Sequence, residues 1–192
     1  MKKIVTILVF IAICKFSNGQ SNYYPIEKGA TFTYAYGNEL YDGSYSKMRS
    51  QISILNTTKI IDGKEYFMFE TSSGSEDNYS VIASSYARVG EDGSIFALEK
   101  EGNQEYLTLK TPLKLGATWS SKSGQLTSTI KVINLDGTIK TANTTYANCL
   151  VIEQKTEDER IMRSYFKEGI GMVVTTMIVG DSEKIFIYLV NE

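Results

Sequence analysis

An all-β fold, built on one large curved antiparallel sheet, is what this 192-residue sequence predicts, and three observations predict it. Alternation is clear at Met48, Ser50, Ile52 and Ile54, and again at Leu126, Ser128, Ile130 and Val132, with polar residues mostly between them. A period of two means one buried face per strand. Turn signals recur at Asp62-Gly63, Asp92-Gly93 and Asp136-Gly137, where glycine supplies the positive φ of a tight hairpin. Finally, two prolines and no sustained helical period argue against an α/β arrangement.

The chain opens with a basic start at Lys2 and Lys3, an apolar run from Ile4 to Ile13 and a polar stretch ending Ser17-Asn18-Gly19-Gln20. These are the three parts of a secretory signal peptide, expected to span 1–19. An apolar run of about ten residues is half of what a membrane-spanning helix needs. The expectation is therefore cleavage after Gly19, a mature chain of 20–192, and no membrane span. Lipidation of Cys14 is the rival reading. It is disfavoured because Ile13 stands where a lipoprotein signal wants a small residue.

Loss of Cys14 leaves Cys149 as the one thiol, so no internal disulfide can form and the core must supply the stability. Cys149 lies beside Leu150 and Val151 with no basic neighbour in sequence, which predicts a buried and inert thiol. Removing Lys2, Lys3 and Lys15 leaves 17 positive against 22 negative side chains. A mildly acidic chain with no Lys/Arg stripe is a poor match to a phosphate backbone, so nucleic acid is excluded as a partner.

Within 20–192 the sequence repeats itself once. Pro25-Ile26-Glu27-Lys28-Gly29-Ala30-Thr31-Phe32 returns as Pro112-Leu113-Lys114-Leu115-Gly116-Ala117-Thr118-Trp119. Ser50, Ile52 and Asn56 return as Ser128, Ile130 and Asn134; the strand ending at Glu70 returns as the one ending at Glu153; Ser85-Tyr86 returns as Ser164-Tyr165. Four matches in one order predict two duplicated meanders, 24–109 and 110–190, of roughly five strands each. Neither could bury its apolar face alone. Together they would make one domain whose sheet of roughly ten strands closes into a barrel or stays a half-barrel. Cys149 to Ile152 and Ile185 to Val190, apolar on both faces, should lie where that sheet is covered on both sides.

The second half also resembles a broad group of exported bacterial proteins and lipoproteins without assigned activity. The resemblance rests on Gly116-Ala117-Thr118-Trp119, on Thr145 to Glu153 with its Asn148-Cys149-Leu150, and on Tyr165-Phe166-Lys167-Glu168-Gly169-Ile170-Gly171. Ile170 replaces the valine usual in the last motif. It covers roughly 111–178 and implies a half-barrel similar to the periplasmic lipoprotein carriers. Low proline and a glutamine after the cleavage site are similar to proteins of Bacteroidetes-type bacteria. The resemblance carries over no catalytic residue.

The absence of histidine removes the usual general base of hydrolytic triads and the commonest zinc ligand. Ser44-Tyr45-Ser46-Lys47 has Ser-x-x-Lys spacing but lacks the companion motifs of penicillin-recognising enzymes. Gly169-Ile170-Gly171 meets Val174 where a dinucleotide fingerprint needs its third glycine, so it reads as a hairpin turn. The acids at Glu76-Asp77, Glu91-Asp92 and Glu157-Asp158-Glu159 sit in predicted turns as solvated groups. Ser73 to Asn78 lacks the ligand spacing of a calcium loop. Asn56, Asn78 and Asn143 carry glycosylation-like triplets without meaning in a bacterial chain. Trp119 reads as core, since its counterpart is Phe32. No catalytic, metal or cofactor residue is assigned, and ligand-binding residues are not legible. The expectation is an exported, non-enzymatic binding module, periplasmic or extracellular, holding a lipid or other hydrophobic or extended ligand on the concave sheet face. The alternative is an accessory envelope protein that meets a protein partner through its sheet surface or edge.

Overall fold

The computed structural model describes residues 21–37, 47–75, 78–99, 104–123 and 126–190. The expected signal segment, Ser44 to Ser46 and Glu76-Asp77 lie outside the described residues. After a 3-10 turn at Ser21–Tyr23 the chain is strand throughout: β1 (Thr31–Tyr36), β2 (Met48–Ile61), β3 (Lys64–Ser75), β4 (Asn78–Val89), β5 (Ile95–Glu99), β6 (Glu105–Leu109), β7 (Thr118–Ser123), β8 (Leu126–Lys140), β9 (Thr145–Thr156), β10 (Ile161–Lys167), β11 (Gly171–Val179) and β12 (Ser182–Leu189). All join one antiparallel sheet in the order β6-β5-β4-β3-β2-β1-β12-β11-β10-β9-β8-β7. The count is twelve where the sequence suggested about ten. The extra strands are short ones such as β5 and β6, five residues each, whose intervening polar stretch reads as loop in sequence.

Each half of the chain is a six-strand meander, and the meanders join where β1 pairs with β12. The sheet curls until the edge strands β6 and β7 approach each other without forming a ladder, which makes it nearly closed and barrel-like. Corresponding positions make corresponding pairs. Phe32 lies opposite Ile52 as Trp119 lies opposite Ile130. Ile54 pairs with Phe69 as Val132 pairs with Ile152, and Met68 with Tyr86 as Val151 with Tyr165. The turn before each first strand is closed identically. Gly29 N donates to Ile54 O and Gly116 N to Val132 O, both at 2.8 Å, with φ of 82° and 81° at the two glycines.

The inner face carries two apolar clusters, one around Ile54, Phe69 and Ala87, the other around Trp119, Ile130, Val132, Ile152 and Phe166. Tyr24 and Ile26, from the segment before β1, pack against both. That segment is tied down where Gly169 N donates to Asn22 O at 2.8 Å. The outer face is covered too. Cys149, Val151 and Tyr165 are buried with Tyr146, and Ile133 and Ile139 of β8 pack against them. In the other half Tyr66, Tyr86 and Leu98 are buried together, with Ile61 and Met68 against them. Each fully buried aliphatic side chain contributes about 2 kcal/mol.

Three expectations need correction. Asp136-Gly137 is not a turn: both residues lie inside β8, in a stretch of bulges that folds the strand end over β9. Glycine is required there because a Cβ would sit 2.3 Å from Val151 Cγ2. Ile185 to Val190 is not covered on both faces. Of these residues only Leu189 is buried, because β12 lies beside the short β1 and no described segment folds over it as β8 does over β9. Phe32 and Ile52 are half-buried where their counterparts Trp119 and Ile130 are buried, although Ile130 lines the same internal cavity as they do.

Candidate functional site: the cavity inside the sheet

The period-two pattern puts Ile52 and Ile54 of β2, Ile130 of β8 and Ile152 of β9 on the inner face. Curvature then brings these faces opposite one another. The side chains do not fill the space between. A partly open cavity of about 320 Å³ remains, with walls from both meanders. Phe32, Phe69, Phe166 and Met172 complete much of the apolar lining, and Tyr24 and Pro25 contribute from the segment before β1. Tyr24 stacks at 6.5 Å from Phe166, tilted by 37°. A Cβ on Gly171 would meet Pro25 Cδ at 3.2 Å, so glycine lets this segment lie against the β10–β11 turn.

The polar lining groups are Thr108, Ser121, Gln154 and Ser164, all uncharged. Gln154 is oriented by its amide, which donates to Ser128 Oγ at 3.0 Å, and Ser164 shares a hydrogen bond with Thr175 at 3.2 Å. Tyr34 donates its hydroxyl to Met172 O at 3.1 Å. Burial pushes the Tyr24 phenol up to about 12 and raises Tyr34 still further, so both stay neutral. Two buried polar atoms have no protein partner among the described residues, Thr108 Oγ1 on β6 and Trp119 Nε1 on β7. They stand on the two edge strands, where a closing ladder would otherwise lie.

A second chamber of about 260 Å³ adjoins the first and shares Ser121 and Gln154 with it. Its other walls include Leu126, Ser128, Thr156 and Arg160. Along β8 the inner face therefore runs Val132, Ile130, Ser128, Leu126, from a closed apolar end to an exposed one.

Of the other residues singled out in the sequence, Ile170 reaches the cavity, lining it from the β10–β11 hairpin turn that it forms with Gly169. The rest lie elsewhere. Asp92 caps a turn by accepting from Ser94 N at 3.0 Å and Ser94 Oγ at 2.8 Å. Glu157, Asp158 and Glu159 occupy the β9–β10 turn. No cluster of three or more metal-ligating side chains occurs among the described residues. Cys149 is fully buried, and burial raises its thiol pKa. It does have a basic neighbour, contrary to expectation: Lys167 lies opposite it across the β9–β10 ladder, a proximity invisible in sequence. Burial outweighs that charge. The cavity itself was not legible, because alternation says which residues face inward and not whether they meet.

No family model matches the chain, and no curated protein matches it. Among solved structures, it is similar to a Bacteroides fragilis protein described as exported and as having a YmcC-like fold. The TM-score is 0.54 at 11% identity, over 87% of this chain and 96% of that one. At that identity the likeness concerns the fold alone.

Proposed function

We propose that this chain is an exported, non-enzymatic binding protein that holds a hydrophobic, extended ligand inside its curved sheet. One observation carries the reading: the cavity between the meanders is walled by aromatic and aliphatic side chains and has no charged group in its lining. Its size lies at the low end for small-molecule sites, which suits one slender chain better than a bulky ring system. The half-buried Phe32 and Ile52 are apolar surface left for a ligand to cover. The amino-terminal pattern supports export, as does the likeness to a protein described as exported. A chain without histidine and with an apolar, uncharged pocket has little to offer acid–base or nucleophilic chemistry.

The test is titration with a neutral, environment-sensitive apolar fluorophore, with native mass spectrometry of protein purified from its source cells. Saturable one-to-one binding is expected, together with a co-purified apolar adduct. Ile52→Trp, which fills the cavity from its rim, should abolish both while leaving a cooperative melting transition. A well-folded wild-type protein that binds no probe overturns the reading.

That result would favour a protein partner at a strand edge. β4 pairs with β5 only from Ser85 onward, so Asn78 to Ser84 have β3 as their one strand partner among the described residues. Val81 and Ile82 stand exposed there at 56% and 64%, on an uncharged segment open to strand addition.

A further inference from the structure

The two chambers differ in chemistry in a way that points to one elongated ligand with two unlike ends. Ser121 and Gln154 line both, so the chambers are neighbours, and polar side chains stand at their common boundary, the throat of the site proposed below. Inward of the throat the walls are uncharged and mainly apolar, with Thr108 and Ser164 as the further polar groups. Outward of it lie Ser128 and Thr156, and then Arg160, the one charged residue among the described residues that line either chamber.

Arg160 is positioned by the β9–β10 turn. Its carbonyl accepts from Thr156 N at 3.0 Å and from Thr156 Oγ1 at 3.2 Å. Its guanidinium donates from Nε to Asp158 Oδ2 at 2.7 Å, and Asp158 also accepts from Thr156 Oγ1. These bonds use one edge of the fork and hold the side chain, 58% exposed, at the chamber wall. The Nη donors make no hydrogen bond among the described residues, and five donors in one plane suit an oxyanion. Glu157, Asp158 and Glu159 share the turn but none lines the chamber, and Glu159 is paired with Lys155.

We propose that the two chambers form a single site for a single-chain amphiphile with an anionic head, its hydrocarbon chain in the inner chamber and its head at Arg160. The assignment rests on the cavity-binding reading above and adds the head-group class to it. Fatty carboxylates are the simplest members of that class. The hydroxyls and amide of the throat solvate the first atoms below the head, and Asp158 competes with the ligand for the guanidinium.

The experiment is displacement of the neutral fluorophore by saturated carboxylates from octanoate to tetradecanoate and by the matching alcohols. It is run at low ionic strength and mildly alkaline pH, below micelle formation. At equal chain length the carboxylate should bind about fivefold more tightly than the alcohol, the scale of a partly exposed ion pair. Arg160→Gln should erase that preference and leave alcohol affinity unchanged. Asp158→Asn, which removes the competing carboxylate, should increase the preference. Equal affinity for acid and alcohol in the wild type, or a preference that survives Arg160→Gln, overturns the head-group assignment while leaving the apolar site standing. Failure of both series to displace a bound probe refutes the chain-binding site as well.

Discussion

Glu105 shows how one side chain can fasten an edge strand that has a neighbour on one side only. It sits at the start of β6, accepts from both Nε and Nη2 of Arg88 on β4, and is reached from β3 by Lys64 and by the Tyr66 hydroxyl at 2.6 Å. Arg88 in turn lies 4.4 Å over the Phe96 ring of β5. The bidentate bonds from Arg88, more than those from Tyr66 and Lys64, hold the Glu105 carboxyl down at about 2. A depressed carboxyl pKa stabilises the fold above the ordinary carboxylate range, and the contribution fades as pH falls from about 4.5 toward about 2. The carboxylate is 21% exposed, so allowing for solvent screening the contribution is about 2 kcal/mol. Denaturant unfolding of wild type and Glu105→Gln across this range should show a gap that is full above pH 5 and closes toward pH 2. A gap of constant size would mean that packing around Tyr66, not charge, sets the cost.

At the scale of the element, β8 shows what could be read in advance and what could not. Its first half alternates, and Ser128, Ile130 and Val132 are buried while Thr129 and Lys131 are exposed. The sequence Asp136-Gly137 signals a turn, yet the same pair serves a bulge, because both need a residue with little steric demand. What separates the two outcomes is the buried surface of Cys149, Val151 and Tyr165 on β9 and β10, which the strand end must cover. Likewise β12 carries Ile185, Phe186, Ile187 and Leu189 in a run that local pattern cannot tell from a doubly covered strand. Its partial exposure follows from what lies above it. Substituting Gly137→Ala should destabilise the protein by about 1 to 3 kcal/mol, since a Cβ at 2.3 Å from Val151 Cγ2 forces either strand to move. Urea midpoints would measure it. An unchanged midpoint would mean that the strand end lifts away at no cost and is not part of the outer core.

For the whole molecule, the connection between the halves is thinner than the halves themselves. Among the described residues β1 and β12 pair over three positions, Tyr34 to Tyr36 with Leu189 to Ile187, flanked by the bonds of Val190 N to Thr33 O and Gly37 N to Phe186 O. By contrast, β8–β9 and β2–β3 pair over most of their lengths. At the opposite side β6 and β7 form no ladder among the described residues, and the Thr108 hydroxyl and Trp119 indole N–H there have no protein partner among them. The cavity lies between these two lines of weakness, so the motion that admits a ligand is expected to be a parting of the meanders rather than a loss of strands within one. Native-state hydrogen exchange gives this a measurable form. The amides of Gly37 and Val190, which donate across the β1–β12 ladder, should exchange through an opening of lower free energy than those of Leu150 and Val151. Saturating the cavity with an apolar chain at a hundred times its Kd should stabilise the closed form by about 2.7 kcal/mol and raise protection at the β1–β12 ladder first. Equal protection across the ladder and the β8–β9 core would show one rigid unit, and ligand entry would then need a different opening.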